Sequence, residues 1–169
     1  GSGRADLGLL YNPDAQPALE ITPLLRERLC LVEAARGRKG SKGPLPLREL
    51  GAYPLILPER HQSIRRLLQT QANLAGVTLH VAWEVSSVPA IIDLVCARMG
   101  YAVLNASAVE ASGRGNELAV RPIVEPELVS VLFLAQSATK PTTPLTRRVA
   151  RLLRELVDAT GVPARKAKR

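Results

Sequence analysis

Pro54-Leu55-Ile56-Leu57-Pro58, Thr78-Leu79-His80-Val81-Ala82-Trp83-Glu84-Val85 and Tyr101-Ala102-Val103-Leu104-Asn105 are three runs of strand-forming residues. What lies between them decides the fold. After Pro58, Ile64, Leu67, Leu68 and Leu74/Ala75 fall at helical spacing, with Gln71 as one polar break, and Gly76 stops the helix. After the second run, Val88, Ile91, Ile92, Val95 and Met99 form another helical stripe that Gly100 ends. Ser87 is a suitable N-cap for it, and Pro89 is tolerated in the first turn, where its missing N–H has no intrahelical partner. Strand, helix, strand, helix, strand gives two βαβ crossovers and so a parallel sheet. Such sheets put ligands at the carboxyl ends of their strands. The question of function becomes what binds at Pro58, Glu59, Arg60 and His61, at Ser86 and Ser87, and at Asn105.

The rest of the chain fits around this unit. Asp6 to Tyr11 reads as a buried strand, with a turn at Asn12-Pro13-Asp14. Leu19 to Leu24 and Arg28 to Val32 read as two further extended segments, and Arg36 to Pro46, rich in Gly, Lys and Pro, as an exposed loop. Leu118 to Ile123 and Leu128 to Ala135 read as strands. A last helix starts near Pro144, with Leu145, Val149, Leu152, Leu153 and Leu156 on its apolar face and Gly161 at its end. Residues 162–169 are polar and basic and read as disordered.

Composition bounds the class. A chain of 169 residues with 46% hydrophobic content can bury a sizeable core as one domain or two small lobes. It has no apolar run long enough to span a bilayer and no visible signal peptide. Cys30 and Cys96 sit inside apolar segments without metal-ligand spacing, which reads as free thiols in a reducing cytoplasm. The net charge of +8 is scattered over a loop, two helices and the tail, and aromatics make up 3% of residues, so stacking platforms for nucleic acid are nearly absent. Solvated helix faces explain the charge more simply.

No catalytic constellation is visible. Gly8 and Gly100 are isolated and make no phosphate-binding loop. His80 alternates along a strand and reads as a half-buried packing residue, whereas His61 stands at a strand-to-helix junction. Ser87 lacks the histidine and glycine elbow of a nucleophile. Glu84 is the acid expected to be enclosed, but one carboxylate does not make an acid–base pair. The chain reads as no enzyme, with no catalytic residue, no metal site and no cofactor.

These residues also carry a resemblance. Gly3-Arg4-Ala5-Asp6-Leu7-Gly8-Leu9, then Pro23 to Val32, then Leu45 to Leu50 leading into Pro54–Pro58, are similar to the effector-binding domain of LysR-type transcriptional regulators. The stretch from Ser86-Ser87-Val88 through Leu94 to Leu104 resembles the later part of that domain. Asn105 is a departure, since the family usually has proline after this strand.

The resemblance implies an α/β, two-lobed, type 2 periplasmic-binding-protein-like fold, with parallel sheets flanked by helices and a small effector between the lobes. The first lobe would be residues 1–32 plus 126–157 and incomplete, the second 33–125, and 158–169 a disordered basic tail. Effector contacts would come from Pro58, Glu59, Arg60, His61, Ser86, Ser87 and Asn105, with Tyr11 and Asn12 facing them from the first lobe. The helix N-terminus after Pro58, with Arg60 and His61, leans toward an organic anion. The family works as a homo-oligomer, a dimer of effector domains within a tetramer. It binds DNA only through an N-terminal helix-turn-helix, which would place this chain as part of a longer cytoplasmic protein with no membrane partner. Self-association would use the helix Ser63–Ala75 and the region Leu19–Leu25. A solute-binding receptor for transport and a prephenate-dehydratase-like enzyme are the other classes that share the fold.

Overall fold

The computed structural model describes residues 7–35, 43–139 and 142–160. Its strands are β1 (Leu7–Tyr11), β2 (Leu19–Ala34), β3 (Leu45–Pro46), β4 (Leu55–Leu57), β5 (Val81–Glu84), β6 (Tyr101–Asn105), β7 (Leu118–Val124) and β8 (Val129–Ser137). Its α-helices are α1 (Ser63–Leu74), α2 (Val88–Cys96), α3 (Ala106–Ala111) and α4 (Pro144–Thr160), with short 3₁₀ turns at Leu47–Ala52 and Gly115–Glu117. The chain divides into two compact units, Gly1–Glu27 with Val131–Arg169, and Arg28–Ser130.

The Arg28–Ser130 unit is built on the expected crossovers. β4 pairs parallel with both β5 and β6, and β2 joins β6 antiparallel, with Leu29 opposite Asn105 and Val32 opposite Ala102. Because Pro54–Pro58 lies mid-sheet, both of its faces are covered, which is why it reads as a continuous apolar run and not as an alternation. Leu55 and Leu57 join Leu29, Leu31, Val103 and Leu68 of α1 in one core. Ile56 joins Val32, Ala102 and Leu104 with Ile91, Ile92 and Val95 of α2 in the other. Each of these fully buried aliphatics contributes about 1.5–3 kcal/mol of burial free energy. Gly100 lets β6 close on β4: a Cβ there would stand 2.8 Å from the Pro54 carbonyl oxygen.

In the other unit, β1 pairs antiparallel with β8, from Leu7 opposite Gln136 to Tyr11 opposite Leu132. Leu24, Leu134 and Ala150 form its small core, with Leu7, Leu25, Leu153 and Val157 packed against it.

Several expectations change. Leu19–Leu24 and Arg28–Val32 are parts of one 16-residue strand, which the polar triplet Arg26-Glu27-Arg28 conceals in the sequence. The unit boundaries fall at 27/28 and 130/131, where the resemblance implied 32/33 and 125/126, because Leu29–Val32 pair with β6 inside the later unit. β1 is not buried: Leu9, Leu10 and Tyr11 are exposed. Leu45, assigned to an exposed loop, is fully buried and pairs with Ile123. The second strand run is shorter than read, Val81–Glu84. α3 follows Asn105 with no apolar run to announce it. On α4 the inward residues are Ala150, Leu153 and Val157, while Leu145, Val149, Leu152 and Leu156 are exposed. Asp158 and Ala159 belong to α4 and not to a tail. Gly161, the remaining tail and Arg36–Lys42 lie outside the described residues.

Candidate functional site

The carboxyl ends of β4, β5 and β6 bring together three of the predicted segments. Leu57 pairs with Glu84, and the Val85 N–H donates to the Leu57 carbonyl at 3.0 Å, so Pro58 and Ser86 leave the sheet side by side. β6 lies on the other side of β4 and ends in Asn105. The Gln62 amide ties two of the loops together, donating to the Ser86 carbonyl oxygen at 3.1 Å.

Three helices start at this edge, α1, α2 and the short α3, and their first turns differ. In α2 the Ser87 hydroxyl accepts from the Ala90 N–H at 3.4 Å, and Pro lies in the first turn. In α1 the N-cap residue is Gln62, which makes no side-chain cap, and its Nε2 donates instead to the Ser86 carbonyl oxygen. The first turn of α1 therefore has uncapped N–H donors, as does that of the short α3 after Asn105, and a helix N-terminus carries roughly half a positive charge.

The predicted residues differ in role. Pro58 is buried, Arg60, His61, Ser86 and Ser87 are exposed, and Glu59 is half-buried. His61 Nδ1 lies 3.3 Å from Glu59 Oε2. Asn105 is 4% exposed and is part of the sheet wall. Tyr11 and Asn12 belong to the other unit. Asn12 has a structural task there. Its N–H donates to the Val131 carbonyl at 2.9 Å, and its Oδ1 accepts from the Val131 N–H at 2.8 Å, with φ 43°. That is a turn asparagine holding a strand end. Tyr11 is exposed, and desolvation together with the Glu27 carboxylate pushes its phenol above the ordinary range.

Sequence reasoning missed Arg65. It is 3% exposed, and Nη1 donates to the Pro58 carbonyl oxygen at 3.2 Å and lies 3.5 Å from Glu84 Oε2. The guanidinium thus braces the ends of β4 and β5 from below. The signal was present: Arg65 stands three and seven residues before Leu68 and Ala72, the buried positions of α1. Glu84, expected to be enclosed, has a 45% exposed side chain. His80 is exposed and not a packing residue. Cys30 and Cys96 are free thiols, the first buried and the second half-buried. Among the described residues no group of three or more His, Cys, Asp or Glu is placed to hold a metal ion. None of the helices is long and apolar enough to cross a membrane.

An α/β sheet with its ligand-facing loops gathered at the carboxyl ends of parallel strands defines a small-molecule-binding class of domain. Residues 1–158 match the family described as the LysR substrate binding domain, and the chain belongs to that family. It is 30% identical over 155 residues to the HTH-type transcriptional regulator BbuR of Bordetella bronchiseptica, covering 92% of this chain and 46% of the relative. The chain therefore spans under half the length of that relative. Among solved structures it resembles the Synechocystis CcmR regulatory domain in complex with 2-PG, with TM-score 0.80, 22% identity and coverage of 91% of this chain and 74% of that one. It also resembles the effector binding domain of QuiR in complex with shikimate, with TM-score 0.75, 17% identity and coverage of 93% and 74%.

Proposed function

We propose that this chain is the effector-sensing part of a LysR-type transcriptional regulator. It binds a small organic anion at the strand-end edge of the Arg28–Ser130 unit, without catalysing a reaction on it and without a cofactor. The observation that carries the reading is the uncapped first turn of α1 beside Arg60 and His61, held next to the Ser86–Ser87 loop by Gln62. Amide donors, a guanidinium and a titratable imidazole suit a carboxylate. Ser86 and Ser87 supply hydroxyls at the rim, and Pro58, Glu59 and Asn105 shape it.

The regulatory step is a population shift. A ligand that binds one arrangement of the protein more tightly than another moves the equilibrium by that difference in affinity and no more. In the longer protein the shift would act on a cytoplasmic homo-oligomer and on DNA contacts made by a helix-turn-helix outside this chain. The relatives support this reading: BbuR is named an HTH-type regulator, and the QuiR domain was solved with shikimate, a carboxylate.

Calorimetry with a panel of carboxylates and matched neutral amides tests it. Carboxylates should bind, and Arg60→Ala and Ser87→Ala should weaken them. Equal binding of neutral analogues, or no loss in either variant, would refute the assigned site.

A further inference from the structure

We infer that the flank of α1 carries a second binding site, for a compact tetrahedral oxyanion such as phosphate, sulfate or a phosphoryl group. A cavity of about 240 Å³ opens there, lined by Arg60, Arg65, Arg66, Gln69 and Thr70. Three guanidiniums, an amide and a hydroxyl line it, and no acid does. A wall rich in N–H and O–H donors and carrying cations selects an acceptor-only, multiply charged ligand.

The buried guanidinium separates this cavity from an ordinary solvated helix face. Arg65 is 3% exposed, yet its counter-charge is the half-exposed carboxylate of Glu84 at 3.5 Å. Its Nε is buried with no hydrogen-bond partner among the described residues. Taking a cation out of water is costly unless it is well paired, and the Pro58 carbonyl at 3.2 Å with a half-solvated carboxylate at 3.5 Å, both on Nη1, offset only part of that and leave Nε unserved. An anion in the adjoining cavity would add a second, closer counter-charge to that of Glu84. Arg60 and Arg66, both exposed, can fold over it without leaving solvent.

The cavity is distinct from the strand-end edge of the proposed effector site. Pro58, His61, Ser86 and Ser87 do not line it, and Arg60 alone is shared. The two sites can therefore be tested separately.

The experiment is calorimetric titration of the 169-residue chain with inorganic phosphate, sulfate, a simple phosphomonoester and acetate at constant ionic strength. The tetrahedral anions should bind, and acetate should not compete. The double variant Arg66→Ala, Thr70→Ala changes two exposed side chains, so its fold can be checked by circular dichroism. It should weaken phosphate at least about tenfold, a loss of about 1.4 kcal/mol, while Ser87→Ala leaves phosphate binding unchanged. Tighter binding of the phosphomonoester than of free phosphate would identify a phosphoryl group on a larger ligand as the occupant. The inference is overturned if phosphate does not bind below about 10 mM, a free energy weaker than about 3 kcal/mol. It is equally overturned if acetate displaces bound phosphate, or if Ser87→Ala abolishes phosphate binding while the double variant keeps it. Carboxylate binding sensitive to Ser87→Ala with no phosphate binding would leave the effector reading standing and remove this one.

Discussion

Arg65 of α1 and Glu84 of β5 stand 3.5 Å apart, with side chains 4% and 45% exposed. The cation is inside the protein and its partner is half in water. This asymmetry predicts how the pair responds to substitution. Arg65→Met fills the same space, removes a poorly compensated buried charge, and leaves Glu84 solvated. Its stability should stay within about 1 kcal/mol of the parent, the gain offset by the donor lost to the Pro58 carbonyl. Arg65→Ala also loses the packing of the aliphatic stem and should cost about 2–3 kcal/mol. Urea unfolding of both variants checks the order. Equal losses would mean that the guanidinium's own contacts hold the strand ends.

Ser87 caps α2 through a long bond, 3.4 Å to the Ala90 N–H. Ser87→Ala should therefore destabilise by about 0.5–1 kcal/mol, at the lower end of cap losses. Ser87→Asp should match or exceed the parent, because a carboxylate there also meets the positive end of the helix. The measurement is the urea midpoint at low ionic strength and again in salt, where the Asp advantage should shrink.

Gly100→Ala should destabilise the Arg28–Ser130 unit by about 1–3 kcal/mol. The new methyl would meet the Pro54 carbonyl oxygen at 2.8 Å and the Ile56 side chain at 3.0 Å, where the backbone pairs β4 with β6. Amide hydrogen exchange should show the loss at Leu55 and Tyr101 first. Unchanged protection there would contradict the close approach.

Self-association of this chain should run through α4. The exposed residues of α1 are mostly polar (Arg66, Thr70 and Asn73), with Leu74 a lone exception, so that helix offers little apolar surface. On α4, Leu145, Val149, Leu152 and Leu156 recur at spacings of four, three and four on one exposed face, the pattern of a helix seam. Leu152→Glu with Leu156→Glu should shift sedimentation toward monomer, whereas Leu74→Glu should not. The opposite result would return the interface to α1.

Glu117 lies against Arg114, with Nε to Oε1 at 2.9 Å, and Arg114 also meets Asp93. The hydrogen bonds from Arg114 hold the Glu117 carboxyl below the usual carboxylate range. A lowered folded-state value means the unfolded chain takes up the proton first. The contribution is therefore full above the ordinary glutamate range near 4.5 and is lost as pH falls through the folded value. Glu117→Gln should therefore lower stability at neutral pH, leave it unchanged at the acid end, and so flatten the acid side of the stability–pH curve. An equal loss at acid and neutral pH would show that the pair acts through something other than this titration.

The sequence by itself determined the parallel unit. The three apolar runs ending at Pro58, Val85 and Asn105 alternate with two helical stripes, and the periods of strand and helix differ too much to be confused over that length. It also determined the Ser87 cap and which loops end the strands, because both follow from local order along the chain. Tertiary structure decided what depends on neighbours far away in sequence. Arg65 is charged and lies on a helix, so local chemistry places it in solvent, and only the register of α1 against β4 and β5 buries it. Leu45 looked like loop until β7 was there to pair with it, and the turn at Asn12 was legible but not that its N–H and Oδ1 both meet Val131. The apolar arc of α4 was legible, but which half of it meets the sheet was not. A helix wheel records how wide the face is, and only the opposing surface fixes where it is covered.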